Sequence, residues 1–519
     1  MSIFSKVAMP RPQHNTFDLS HSRKFSMSIG KITLISVMEC VPGDSFNIKT
    51  TQLVRFAPLL APIMHESSVY CHFFFVPNRI LWPQWEEYIT GGEDAADPGY
   101  VPPVAPYFSG ITVGTGSLGD YLGLPSEMLQ TTKVSALPFM AYRKIFNEYY
   151  RDQNLVTKIT DEAVSGSNAL PPDWSVLQNR AWQHDYFTSA LPWTQKGPEA
   201  TIPLGTTAPL LNITGSADDV NLASMMRDTD GSIRSGAYMK SSTTGVVDAD
   251  GFTGPASQFD ITNHTEVDLT DATASSINDL RRAFRLQEWL ERNARGGSRY
   301  IEVILAHFGV QSSDARLQRP EFLGGSATPI SISEVLQTSD AAAEDTPQGN
   351  MAGHGVSVGS SNYVSYRCEE HGYIIGLMTV MPKSAYQQGI PKHFTKFDKF
   401  DYFWPSFANI GEQPILNKEL YAKPSDGLDD EVFGYTPRYA EYKYIPSTVH
   451  GAMRTSLNFW HMGRIFGSRP TLNANFVECQ EDEVDRVFAV GEGEENLYVY
   501  LHNQVKARRP MPYFGTPTI

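Results

Sequence analysis

Acid–base chemistry could arise at Glu369-Glu370-His371, where two carboxyl groups adjoin an imidazole. Such groups transfer protons when a substrate lies within hydrogen-bonding reach. The three residues, however, open an apolar strand-like run and have no companion motif. The sequence contains neither HExxH nor GxxxxGK[ST], the patterns of zinc proteases and P-loop proteins. We therefore predict no catalytic residue and a protein that is not an enzyme.

A glycine-rich run, Gly114-Thr-Gly-Ser-Leu-Gly119, matches the GxGxxG pattern of dinucleotide-binding loops. That pattern binds a pyrophosphate only between a strand and a helix, with an acidic residue about 20 positions further on. Prolines lie just upstream here, Gly123 and Pro125 would break the helix, and no acidic residue falls within 134–140. We predict no cofactor.

Two aspartate pairs, Asp228-Thr-Asp230-Gly and Asp248-Ala-Asp250-Gly, could suggest calcium loops. Neither continues with the glycine at position six and the glutamate at position twelve of an EF-hand, so turn-forming aspartates are the better interpretation. The cysteines lie far apart without a CxxC pair, which favours reduced core residues, cytosolic assembly and no metal site. They are Cys40, Cys71, Cys368 and Cys479.

Charge is distributed unevenly along the chain. The net charge of −15 argues against a simple nucleic-acid-binding domain, although a limited basic surface is still compatible with it. Residues 1–38 carry five basic residues against the single Asp18, so this predicted N-terminal arm could reach phosphate. An ordinary solvated terminus is the alternative.

Strand patterns occur at both ends of the chain. After the turn Val41-Pro-Gly-Asp44, residues from Phe46 to Phe56 alternate between apolar and polar side chains, as in a strand with one wet face. Residues 69–76 are apolar on both faces, which predicts burial on both sides or against another subunit. Leu497 to His502 alternate again. We predict a mainly β protein, a single antiparallel β-sandwich with greatly enlarged loops.

Helices and one long insertion lie between these strands. Helical spacing covers Phe139–Asp152, Ser276–Arg295 and Tyr300–Phe308. Residues 202–271 are dominated by Gly, Ser, Thr and Asp, and an irregular insertion of that length is typical of a functional or disordered segment. We predict an exposed projection there. The longest apolar run, Tyr373–Met381, is too short to span a bilayer, and Pro10 and Pro12 occupy the place of a signal sequence, so we expect no membrane contact.

Several runs of sequence together resemble the major capsid proteins of the Microviridae, small phages with single-stranded DNA, and specifically the gokushovirus-like branch. The densest run covers 277–325. The other runs include Phe17–Ser20, Val41–Asp44, Phe73–Trp82, Leu137–Leu155, Asp185–Gly197, Tyr386–Gly389, Gly411–Gln413, Val432–Tyr435, Arg438–Tyr442 and Arg509–Pro512. The resemblance spans nearly the whole chain in order.

This resemblance implies a viral jelly roll over residues 39–519 with long helix- and loop-containing insertions. It further implies sixty copies, assembled through pentamers in the host bacterial cytoplasm into a T=1 icosahedral virion around circular single-stranded DNA. The insertion at 202–271 would form threefold projections that meet an unknown host receptor. The residues expected in this host-facing loop are Asp228, Asp230, Tyr238, Asp248, Asp250 and Phe252.

The acidic chain cannot neutralise a genome alone, so we expect a small basic DNA-packaging protein or cations to balance most phosphates, together with a scaffolding protein as a further partner. Basic residues near the two termini would supply a few interior DNA contacts. They are Lys6, Arg11, Arg23, Lys24, Lys506, Arg508 and Arg509. The rival hypotheses are a hydrolase on a β-sandwich and a carbohydrate-binding or adhesin module.

Overall fold

The computed structural model of the protein describes residues 13–92, 99–126, 128–129, 132–171, 173–198, 200, 277–338, 348–361, 363–491 and 494–514, with six short strands between 210 and 267. The chain divides into two compact units. One comprises Met1–Thr194 and Arg292–Ile519, and the other comprises Gln195–Glu291.

Eleven strands form the two main sheets of the first unit. They are β1 (Asn15–Asp18), β2 (His21–Met27), β3 (Thr33–Cys40), β4 (Ser45–Phe56), β5 (Ser67–Pro77), β6 (Glu321–Pro329), β7 (Ser331–Leu336), β8 (Met351–Ser360), β9 (Val364–Arg367), β10 (Gly372–Pro382) and β11 (Leu497–Arg509).

The larger sheet has seven strands and brings the two ends of the described chain together. Its order is β1-β11-β4-β8-β7, with β2 also paired to β11 and β9 also paired to β4. The second sheet has the order β6-β5-β10-β3. All of these pairings are antiparallel. The mainly β prediction is therefore confirmed.

One hydrophobic cluster takes side chains from both sheets. Phe46 and Val54 enter it from β4, Phe73 from β5, and Leu501 from β11. The predicted alternation of β4 is confirmed, because Asn47, Thr51 and Arg55 are exposed between buried residues. Alternation places one face of each strand against this core.

The strand β5 is buried on both faces, as its sequence predicts. Phe73 and Phe75 point into the core shared by the sheets, whereas Phe74 and Val76 belong to a second cluster that includes Tyr142. The second cluster also contains most of the helix at residues 137–145. A layer of helix and loop therefore covers the outer face of the second sheet.

Eight α-helices are found among the described residues. They are α1 (Asn78–Leu81), α2 (Trp85–Thr90), α3 (Leu118–Leu122), α4 (Leu137–Ile145), α5 (Ile277–Gly296), α6 (Tyr300–Phe308), α7 (Asn417–Leu420) and α8 (Ala474–Val477). Short 3₁₀ turns cover Lys392–Thr395, Lys399–Asp401, Pro405–Phe407, Pro424–Asp426, Ala440–Tyr442, Gly451–Arg454, Asn458–Trp460 and Asp485–Val487. The three helices predicted from periodicity are all present.

The predicted helix at 139–152 differs in its last turn, where Phe146–Tyr150 forms a π-helix. The wider turn brings two consecutive tyrosines onto β5. The ring centroid of Tyr149 lies 4.7 Å from that of Phe74, and the ring of Tyr150 stacks on His72 at 6.0 Å. Packing against the sheet therefore accompanies the departure from regular α-helical geometry.

Residues 1–38, for which the sequence predicts an arm, are strand for most of their described length, in β1, β2 and β3. Pairs of smaller strands complete the first unit. They join Tyr107–Phe108 to Val134–Ser135, Ile111–Thr112 to Met128–Leu129, Ala385–Tyr386 to Ser447–Thr448, and Glu412–Leu416 to Val432–Pro437.

In the second unit, three antiparallel pairs are described. They join Leu210–Asn212 to Thr265–Val267, Met226–Arg227 to Gln258–Phe259, and Tyr238–Ser241 to Val247–Asp250. The three pairs are nested in sequence, and the pair of 238–241 with 247–250 is the innermost.

Candidate nucleic-acid interface

The outer face of the seven-stranded sheet is built by strict alternation along β11. Its residues alternate between buried and exposed from Leu497 to Arg508. The buried set packs in the core, and the exposed set points away from it. The exposed residues are Tyr498, Tyr500, His502, Gln504, Lys506 and Arg508. At about 3.3 Å per residue, this row extends for roughly 33 Å.

Neighbouring strands add cations to this row through their register. Lys24 of β2 lies opposite Tyr500, and Arg55 of β4 lies opposite Tyr498. Ser45 of β4 is paired with both Arg508 and Arg367, one on each side. We call this surface the basic face and define it by six residues. They are Lys24, Lys49, Arg55, Arg367, Lys506 and Arg508.

The basic face has little negative charge to balance it. Across β1, β2, β4, β9 and β11 the only acidic residue is Asp18, which lies opposite Lys506. Hydrogen bonds from Ser20 hold the pKa of Asp18 below its usual value, and nearby Lys506 and His502 add to the effect. Within the described part of the chain, none of the six cations has a carboxylate within 4.0 Å.

Aromatic side chains lie among these cations. Tyr498 and Tyr500 are 48% and 45% exposed, so each leaves much of its surface open. The Lys49 ammonium lies 5.7 Å from the centroid of Tyr363, whose side chain is also exposed. Cations that track a phosphate backbone, with rings on which bases can stack, are the elements of single-strand binding surfaces. The basic face combines both of these elements.

The predicted DNA contacts fall into three groups in the structure. Lys24, Lys506 and Arg508 lie on the basic face, while Lys6 and Arg11 are outside the described residues. Arg23, adjacent to Lys24, lies on the other side of β2. Its guanidinium donates to the Tyr121 carbonyl at 2.6 Å, and burial lowers its pKa.

Arg509 also lies away from the basic face, because it is held by the turn that precedes β4. Its guanidinium is 3.0 Å from the carboxylate of Asp44 and donates to the Glu39 carbonyl oxygen. Asp44 is fully buried, so the arginine supplies the charge that this carboxylate needs. Arg23 and Arg509 are thus engaged by the protein itself.

Sequence reasoning missed Lys49, Arg55 and Arg367 as members of the basic face. Lys49 and Arg55 lie on the polar side of the predicted strand, so the period-two pattern was the available signal. Their position beside β11, however, depends on pairing between distant parts of the chain.

Of the predicted host-facing residues, Tyr238, Asp248 and Asp250 lie on the paired strands 238–241 and 247–250, where Tyr238 is opposite Asp250. Asp228, Asp230 and Phe252 are outside the described residues.

Residues that could suggest enzymatic chemistry have structural partners. Glu370 pairs with Arg79 at 2.9 Å, and the ring of His371 lies 5.7 Å from Trp85. Sequence reasoning also overlooked Gly355-Val-Ser357-Val-Gly359, which has GxSxG spacing. That motif requires a sharp strand-to-helix turn, whereas Ser357 is buried inside β8 and donates to the Pro329 carbonyl at 3.0 Å.

The four cysteines are buried and form no disulfide. No group of His, Cys, Asp or Glu side chains suited to a metal ion occurs among the residues whose structure is described. In the same part of the chain, no helix combines the length and the apolar character needed to cross a bilayer.

Comparisons with known proteins agree over the full chain. A family model described as "Capsid protein (F protein)" matches residues 5–519. The chain is 34% identical to capsid protein VP1 of Chlamydia phage 1 and 35% identical to that of Bdellovibrio phage phiMH2K, in each case over 99% of this chain and 97% of the relative. It is also 34% identical to capsid protein VP1 of Spiroplasma virus 4, over 99% and 96%.

These matches cover nearly the whole of both chains, and they confirm the resemblance inferred from the motifs. The chain belongs to the capsid protein (F protein) family of the Microviridae, with gokushovirus capsid proteins among its relatives.

Proposed function

We propose that this structural protein forms a T=1 icosahedral shell of sixty copies, assembled through pentamers, around a circular single-stranded DNA genome. Membership of a capsid protein family supports a self-assembling, non-enzymatic component of a virion. The two antiparallel sheets with a shared core are compatible with a viral jelly roll. Assembly in the bacterial cytoplasm agrees with four free, buried cysteines.

The observation that carries the DNA part of the proposal is the basic face. A chain with a net charge of −15 places six cations and a single carboxylate on one face of five adjacent strands, together with two exposed tyrosines. Such segregation of charge attracts a polyanion to one surface while the rest of the molecule repels it. We propose that this face is turned towards the genome.

The six cations of the basic face also support the proposal of a basic packaging protein or bound cations as partners. Six cations per copy can neutralise only part of an enclosed genome, so a small basic packaging protein or bound cations would balance the remainder. A scaffolding protein would guide assembly and is expected in precursors.

Purified particles provide the test of this function. We expect charge-detection mass spectrometry to give sixty copies of the chain per particle. Gel analysis should reveal a small basic protein beside it, and nuclease treatment should show protected circular single-stranded DNA. A chain that remains a monomer under all assembly conditions would contradict the shell. Particles with full-length DNA but neither a basic protein nor bound cations would contradict the proposed charge balance.

We also propose that the insertion at residues 202–271 forms the host-facing projection at the threefold axes. These residues lie within the compact unit Gln195–Glu291 and include three antiparallel strand pairs nested in sequence, which supports this role. Particles carrying Asp248→Lys and Asp250→Lys should assemble normally but adsorb to host cells at least tenfold less. Unchanged adsorption, measured by depletion of free particles, would place host contact elsewhere.

A further inference from the structure

A second exposed surface consists of large apolar side chains between residues 394 and 445. We call it the aromatic patch and define it by six residues. They are Phe394, Phe397, Phe400, Tyr402, Trp404 and Ile445. Phe397 and Ile445 are 88% and 86% exposed, and the other four are 48–65% exposed. Five of the six lie within residues 394–404, and the Lys396 ammonium in that segment lies 4.0 Å from the ring centroid of Tyr442, three residues before Ile445. Exposed groups of large apolar side chains often mark interaction sites.

Polar contacts within the segment fix its shape without covering its rings. The carboxylate of Asp401 accepts hydrogen bonds from the backbone N–H groups of Phe397 and Asp398, at 2.9 and 2.8 Å. The indole N–H of Trp404 donates to the Lys399 carbonyl at 2.8 Å. The segment is therefore organised before any partner arrives, which reduces the entropy lost on binding.

Ion pairs attach the same segment to the body of the first unit. The Lys396 ammonium lies 3.0 Å from the Glu441 carboxylate and 4.0 Å from the ring centroid of Tyr442. The Lys392 ammonium lies 2.6 Å from the buried carboxylate of Glu419. These two cations are engaged within the protein, whereas the exposed Lys399 lies 5.0 Å from the ring centroid of Phe400.

The exposed area matches what a stable contact between proteins requires. Taking about 200 Å² for each fully exposed large side chain, the fractional exposures amount to roughly 800 Å². A standard interface buries about 800 Å² on each partner, and aromatic side chains are enriched in its core.

From this area, and from membership of a capsid family, we infer that the aromatic patch is a contact surface for a second copy of this chain. The inference rests on the proposed shell and assigns one of its copy-to-copy contacts. Burial of Phe397 and Ile445 against a neighbour would remove from water the two most exposed side chains of the patch. In a closed shell every copy would bury the same apolar surface, so the stabilisation is repeated at each contact.

The test is assembly of the full-length chain with Phe397→Ser and Ile445→Ser combined. Because both side chains are exposed, the variant should keep the unfolding temperature of the unassembled wild-type protein to within about 2 °C. We expect at least tenfold fewer sedimenting particles than wild type at equal protein concentration. A matched control combines Met64→Ser and Phe308→Ser, which alter side chains that are 71% and 76% exposed outside the patch.

The possible outcomes distinguish the inferred contact from the other roles of the patch. Normal assembly of the patch variant would overturn the inference and leave the proposed shell intact. Equal losses in both double variants would overturn it as well, since general surface polarity would then be the cause. Normal assembly with lost adsorption to cells would assign the patch to host contact instead. If wild type itself failed to assemble, the shell proposal would fall and the inference with it.

Discussion

Reversing two charges of the basic face, with Lys506→Glu and Arg508→Glu combined, is expected to weaken binding to single-stranded DNA by about 10- to 100-fold at low salt. Both residues lie at exposed positions on β11, where the variant would place two carboxylates in the path of the phosphates. Fluorescence anisotropy of a labelled 30-nucleotide oligomer, bound to the full-length unassembled chain, measures the effect.

The salt dependence of DNA binding distinguishes the loss of direct phosphate contacts from general repulsion by the added negative charge. Each lost phosphate contact should reduce the slope of log K against log salt concentration by about 0.7 for a single strand. The matched control, Arg281→Glu with Arg316→Glu, changes the net charge equally at two exposed positions outside the basic face. Equal weakening by both double variants would show that only net charge matters. Unchanged binding by the first would show that DNA uses another surface.

Replacing Phe73 with alanine is expected to lower the free energy of unfolding by about 3–5 kcal/mol, because it empties a space in the core between the sheets. The ring is fully buried and lies over Gly376 of β10, where a Cβ atom would approach it to 2.8 Å. Glycine at position 376 therefore leaves the room that the phenylalanine ring fills.

Urea unfolding of the unassembled protein, followed by tryptophan fluorescence, measures this loss. Phe308→Ala is the matched control, since the same change at a 76% exposed site should alter stability by less than about 0.5 kcal/mol. A similar small change for Phe73→Ala would mean that the two sheets do not depend on this contact.

Local patterns were sufficient to predict individual strands and helices but not their partners. The alternation of β4 and the double burial of β5 follow from their own residues, since side-chain period and apolar content are local properties. The π-helical turn at Phe146–Tyr150 could not be predicted, because it is associated with rings on a strand some 75 residues earlier in the chain.

In the candidate site, too, local sequence patterns predict some features, whereas long-range strand pairing decides others. Of the residues predicted to contact DNA, Lys24, Lys506 and Arg508 share the basic face, whereas Arg23 beside Lys24 faces the opposite side, and only the register of β2 against β11 separates them. Arg509 follows the last exposed position of β11 and is drawn to Asp44, a buried carboxylate supplied by a distant turn. Composition near the termini could suggest basic contacts, but pairing decides which of them share a face.

The position of β11 has a consequence for how the molecule is made. Arg509 and Asp44, which form an ion pair, are separated by 465 residues. During synthesis β4 leaves the ribosome long before β11, and the edge of β4 that pairs with β11 has no partner until β11 has been made. A chain interrupted before β11 would lack the strand that pairs with both β2 and β4, and it would expose strand edges of the kind that can pair with another chain.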